Sequence, residues 1–143
     1  MTSSESLRLT AAVRASLLAH AREGRDPPRE VCGVLAGERG PPDRVTGTRR
    51  VPNAAADQRT RYELDPEAAV AAVDAVESGG DEVVGFYHSH PESAPVPSDT
   101  DRAQATWPGY VYLIVAPHAA EIRAYRWTGE AFDRLDVHVE SAE

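Results

Sequence analysis

The sequence contains no lysine: all 15 of its basic residues are arginine. Apart from the N-terminal amine, the chain therefore offers no primary amine for isopeptide modification. An arginine-only basic set is what a GC-rich coding sequence produces, and it suits a salt-adapted cell in which acidic surfaces stay solvated. Cysteine is nearly as scarce. Cys32 alone excludes an internal disulfide framework and any cysteine-rich zinc module. No apolar run approaches the roughly 18 residues of a membrane span. Met1 to Glu5 lacks both the basic and the apolar part of a signal peptide, so a cytoplasmic protein is expected. Positive charge is in deficit, with 23 acidic against 15 basic residues and a net charge of −8. That balance repels nucleic acid and anionic membrane, and no basic stripe interleaved with aromatics offsets it.

What remains fits one soluble domain spanning residues 1–143, with 41% hydrophobic and 27% charged residues. A chain of this size buries roughly 68–70% of its unfolded surface, so its core needs neither a disulfide nor a structural metal. Thr10 is placed to cap a helix running to about Glu23, with Val13, Leu17, Leu18 and Ala21 at helical spacing. Gly24 and Pro27-Pro28 end it. Glu30 to Gly37 is too short and β-branched for a helix and reads as a buried strand. Arg44 to Val51 and Arg61 to Leu64 read as further strands around the Pro52-Asn53 turn. Asp65-Pro66 starts a second helix carrying Val70, Val73 and Val76, which Gly79-Gly80 stops. Glu82 to His90 reads as a central strand ended by Pro91, and Ser98 opens a short third helix. Tyr110 to Ala116, Glu121 to Trp127 and Phe132 to Val139 read as three late strands. The pattern predicts a mixed α/β (α+β) domain, about three helices around one sheet.

One segment carries chemistry: His88-Ser89-His90-Pro91, six residues, then Ser98-Asp99-Thr100-Asp101. Histidines at i and i+2 of a strand project from one face with Cα atoms roughly 6.6 Å apart, close enough for both rings to meet one ion. Asp101, returned by the loop onto the first turn of a helix, can add a third ligand. Two histidines, a carboxylate and a water make a tetrahedral zinc site with an open position. The same Ser98-X-X-Asp101 spacing also matches a capping box, in which both side chains only satisfy backbone N–H groups.

With Glu30 in Glu-Val-Cys-Gly-Val-Leu, these residues resemble the signature of the JAMM (MPN-plus) zinc metalloproteases: an early glutamate, His-X-His, a loop, and Ser-X-X-Asp. Arg61-Tyr62-Glu63-Leu64-Asp65-Pro66 and Trp107-Pro108-Gly109-Tyr110 are similar to compact haloarchaeal members that remove ubiquitin-like small archaeal modifiers. The resemblance implies a single cytidine-deaminase-like MPN domain with one zinc on His88, His90 and Asp101. It implies that Glu30 holds and deprotonates the attacking water, and that Ser98 donates to the oxyanion. Since one Asp101 oxygen is expected to serve either metal or backbone, it is assigned to the metal. Implied substrates are ubiquitin-like modifiers and their lysine conjugates, whose Gly-Gly tail threads a narrow groove and adds to a sheet edge.

Other residues are expected to stay outside the chemistry. Cys32 reads as a buried core residue without a base, Asp99 as a first-turn carboxylate, and Ser89 as packing on the opposite strand face. His20, His118 and His138 read as surface or structural, and Trp107, Tyr110 and Tyr112 as core or rim. Two alternatives share the fold: a peptidase trimming a sulfur-carrier protein, and a metal-free MPN-minus scaffold, which the full set of five site residues disfavours. A zinc deaminase is excluded by the single cysteine, and no His-Glu-X-X-His helix is present.

Overall fold

A computed structural model describes residues 5–141. Strand β1 (Ser6–Leu9) leads into α1 (Ala11–Glu23), then β2 (Cys32–Glu38), β3 (Asp43–Val51), α2 (Pro66–Ser78) and β4 (Glu82–Ser89). A short α3 (Asp99–Gln104), β5 (Val111–Ala116), a 3-10 turn (Pro117–Ala119), β6 (Glu121–Trp127) and β7 (Phe132–Val139) complete the order. The strands close into a barrel in the order β1-β3-β2-β4-β5-β6-β7. β1 runs parallel to both β3 and β7, and β4 runs parallel to β5; the other pairs are antiparallel.

The three helices form where expected. Thr10 and Asp65 accept from Val13 and Ala68 as N-caps, and Pro66 occupies the first turn of α2. Val13, Leu17, Leu18 and Ala21 of α1 join Leu35, Tyr87 and Leu113 in one apolar cluster; Ala72 and Val76 of α2 join Val34, Phe86 and Tyr112 in another. β4 thus has two buried faces, Phe86 and His88 on one, Tyr87 and Ser89 on the other.

Three expectations need correction. Ser6–Leu9, not read as a strand, is β1 and closes the barrel. Arg61 to Leu64 is not a strand; a single bridge joins Leu64 to Asn53. Val70 does not face the core: it is 61% exposed, and Ala72 takes the inward position on α2.

Candidate metal centre

β4 delivers the histidines because its pairing persists past its end. The His90 amide still donates to the Val115 carbonyl at 2.8 Å, which keeps both rings on one face. The loop after Pro91 is pinned where the Tyr125 hydroxyl donates to the Pro95 carbonyl at 2.8 Å, and it returns the chain to α3. There Asp101 points its Oδ2 at both rings, 3.1 Å from each Nε2, and the two Nε2 atoms lie 3.2 Å apart. Donors held about 2.0–2.1 Å from a tetrahedral ion sit roughly 3.3–3.4 Å from one another, so this triangle has the size of a metal's coordination face. Glu30 adds a carboxylate oxygen within 4.8 Å of these donors, and all four residues are buried.

Proton accounting supports the fit. His90 Nδ1 donates to the Ala94 carbonyl at 2.8 Å, so the neutral ring offers an unprotonated Nε2. Oδ2 of an ionised Asp101 has no hydrogen. His88 therefore supplies at most one proton to three mutually facing donors. The Glu30 Oε1 is buried without a hydrogen-bond partner among the described residues. An electron-rich triangle beside an unsatisfied carboxylate suits a divalent cation with a water.

Ser98 and Asp101 also form a complete capping box: the Ser98 Oγ accepts from the Asp101 amide, and the Ser98 amide donates to Asp101 Oδ2, each at 3.0 Å. The expected choice of one Asp101 oxygen between metal and backbone is not forced by this geometry. Oδ2 faces the histidines and accepts the Ser98 amide together, because a carboxylate oxygen has two lone pairs. The cap fixes the aspartate, and the Ser98 hydroxyl hydrogen stays available to donate.

Electrostatics follow from burial and from this cluster. Burial pushes the Glu30 carboxyl up to about 8; His90 opposes the shift and Asp101 adds to it. Burial would also raise Asp101, but the adjoining His88 and His90 rings and the Ser98 backbone amide hold it well below the usual carboxylate range. Burial pulls His88 down against the pull of Asp101. In His90 burial is outweighed by Asp101 and the Ala94 carbonyl, and the ring is raised.

Two contacts were not foreseen. The buried Tyr62 ring stacks on His88 with centroids 4.2 Å apart and planes 18° apart. Asn53 donates from Nδ2 to the Glu30 carbonyl at 2.9 Å. Of the remaining residues, Cys32 is buried and its thiol is pushed up to about 12, chiefly by burial; it donates to the Val51 carbonyl and is inert. Ser89 accepts from the Val31 amide at 3.0 Å on the far strand face. Asp99 pairs with Arg102 at the surface. His20 meets the Tyr87 hydroxyl behind the sheet, and His118 and His138 are exposed. A cleft of about 320 Å³ lies beyond Tyr62, walled by Leu64, Phe86, Gln104, Tyr112 and the half-exposed Trp107.

Fold and donor set together define a JAB-type domain with a buried cluster that could hold a metal ion at the end of its central strand. The family model for prokaryotic homologs of the JAB domain (Prok-JAB) matches residues 10–128, and the chain belongs to that family. It is 57% identical over 142 residues to the desampylase of Haloferax volcanii, an alignment covering 98% of this chain and 100% of that one. It is 38% identical over 128 residues to the CysO-cysteine peptidase of Mycobacterium tuberculosis, covering 87% and 84% of the two chains. Among solved structures, a Desulfitobacterium hafniense protein studied in solution superposes with a TM-score of 0.83 at 27% identity, over 95% of this chain and 94% of that one.

Proposed function

We propose that the protein is a zinc-dependent isopeptidase of JAMM type, one catalytic unit spanning residues 1–143. It hydrolyses the bond after the C-terminal Gly-Gly of ubiquitin-like small modifier proteins joined to target lysines. The observation that carries this reading is the buried His88–His90–Asp101 triangle with an unsatisfied Glu30 beside it. The likeness to a desampylase over nearly the full chain supports the substrate class. Among the described residues no helix is long and apolar enough to cross a membrane; a cytoplasmic location is part of this proposal.

His88, His90 and Asp101 hold the ion. When bound, zinc supplies Lewis acidity and lowers the pKa of a water toward ~7, making a nucleophile at neutral pH. Glu30 takes a proton from the attacking water and delivers it to the leaving lysine nitrogen as the amide C–N bond breaks. The Ser98 hydroxyl donates to the carbonyl oxygen as charge develops on it, while its lone pairs keep the Asp101 amide.

The test is incubation with lysine-linked modifier conjugates and with a linear carrier–cysteine fusion, read by mass spectrometry. Release of free modifier with an intact Gly-Gly end, abolished by chelator and restored by zinc, is expected. Cleavage of the fusion alone would replace this substrate with that named for the mycobacterial relative. Glu30→Gln should keep its metal and lose about 10²–10⁴-fold in kcat; full turnover would remove the proton-transfer role.

A further inference from the structure

Glu30 stands two residues ahead of β2, outside the strand ladder. The Val31 amide is held from β4 by Ser89, but the peptide groups of Glu30 itself are held by the irregular segment 53–63. The Glu30 amide donates to the Gln58 carbonyl at 2.6 Å, and the Glu30 carbonyl accepts from Asn53 Nδ2 at 2.9 Å. Asn53 does more with the same carboxamide. Nδ2 also donates to the Arg61 carbonyl at 3.0 Å, and Oδ1 accepts from the Ala55 and Glu63 amides at 2.9 and 3.0 Å. Two amides on one side and two carbonyls on the other settle the orientation of the group and use its full bonding capacity. Arg61 and Glu63 flank Tyr62, whose ring lies on His88.

We propose that Asn53 is a positioning residue for the hydrolysis. One carboxamide clamps the main chain of Glu30 to the main chain on either side of Tyr62, so that the proton-transferring carboxylate and the aromatic wall keep a fixed place against the metal donors. The inference rests on the role of Glu30 given above. Its physical basis is that catalytic groups lose effectiveness steeply with small displacements, of order 10²-fold for about 1 Å. Asn53 bonds to none of the three metal donors and is not among the residues that line the cleft beyond Tyr62, and it acts through Glu30 and the main chain beside Tyr62.

Two substitutions separate the functions of this group. Asn53→Ala removes all four bonds. Asn53→Asp keeps both acceptor bonds that hold the loop but turns an oxygen toward the Glu30 and Arg61 carbonyls. Both should keep stoichiometric zinc and lose about 10²-fold in kcat. In a Glu30→Gln background, adding either should cost under about threefold, since residues that act as a unit are not additive. Arg59→Ala is the control: it cuts the same loop's exposed ion pair with Glu92 and none of the Asn53 bonds, and should change kcat by under about threefold. An equal loss in both backgrounds, wild-type kcat in either variant, or unfolding of both would overturn the positioning role. An active Glu30→Gln would instead overturn the reading on which it rests.

Discussion

At the scale of single residues, the cluster of candidate donors was legible and its supports were not. His88, His90 and Asp101 announce themselves because a period of 2 on a strand and a capping spacing on a helix are local rules. Tyr62 and Asn53 act across 26 and 23 residues, through a segment without periodicity, and no rule of spacing reaches that far. Tyr62 therefore provides a separate prediction. Its ring is buried against His88, so Tyr62→Ala should cost about 3 kcal/mol and speed metal loss to a chelator, whereas Tyr62→Phe should do neither. Unfolding curves and the rate of zinc release to a chromogenic chelator measure both effects. A stable Tyr62→Ala with unchanged release would mean that the stack contributes nothing.

Among the elements, β4 matters most, since it carries His88, leads directly into His90 and has no free face. Gly85 lies where β4 meets Val111 of β5, and a Cβ there would run into the Val111 backbone. Gly85→Ala should destabilise by about 3 kcal/mol, seen as a lower urea midpoint with an unchanged slope. A midpoint equal to wild type would show that the strand pair has room to spare. α1 backs β4 through His20, whose Nδ1 lies 2.8 Å from the Tyr87 hydroxyl. Burial, then Arg50 and Arg29 against Glu23, pull His20 from 6.5 to about 4. The unfolded chain therefore binds this proton more tightly. Its contribution to stability is complete above about pH 6.5 and disappears as the pH falls toward 4. His20→Gln should lose less stability than wild type between pH 7 and 4.5; parallel curves would contradict the assignment. The elements also show where pattern failed. Alternation in Arg61-Tyr62-Glu63-Leu64 looks like a strand, yet the Arg61 carbonyl and Glu63 amide bond to the Asn53 side chain in place of a neighbouring strand. β1 has only four residues, and its alternating Leu7 and Leu9 gain meaning only from parallel partners on β3 and β7.

At the scale of the whole molecule, the class of fold was readable from the order of helices and strands, while closure of the barrel was not. Closure depends on pairing residues 6–9 with residues 136–139, a contact that no local pattern encodes. The closed sheet gives the site its rigidity: two donors sit at the end of a strand paired on both sides, and the third is fixed by its own helix cap. A preformed donor triangle needs little rearrangement to take an ion, and ion binding in turn stabilises the folded chain by mass action, so chelation should lower the melting temperature. The central claim is that this triangle is a single zinc site. Equilibrium dialysis against zinc after complete chelation, with metal counted by mass spectrometry, tests it most directly. The account predicts about one zinc per chain in the wild type, with that zinc lost from His88→Ala, His90→Ala and Asp101→Ala, each still folded. No zinc in the wild type, or undiminished zinc in the three variants, would contradict it.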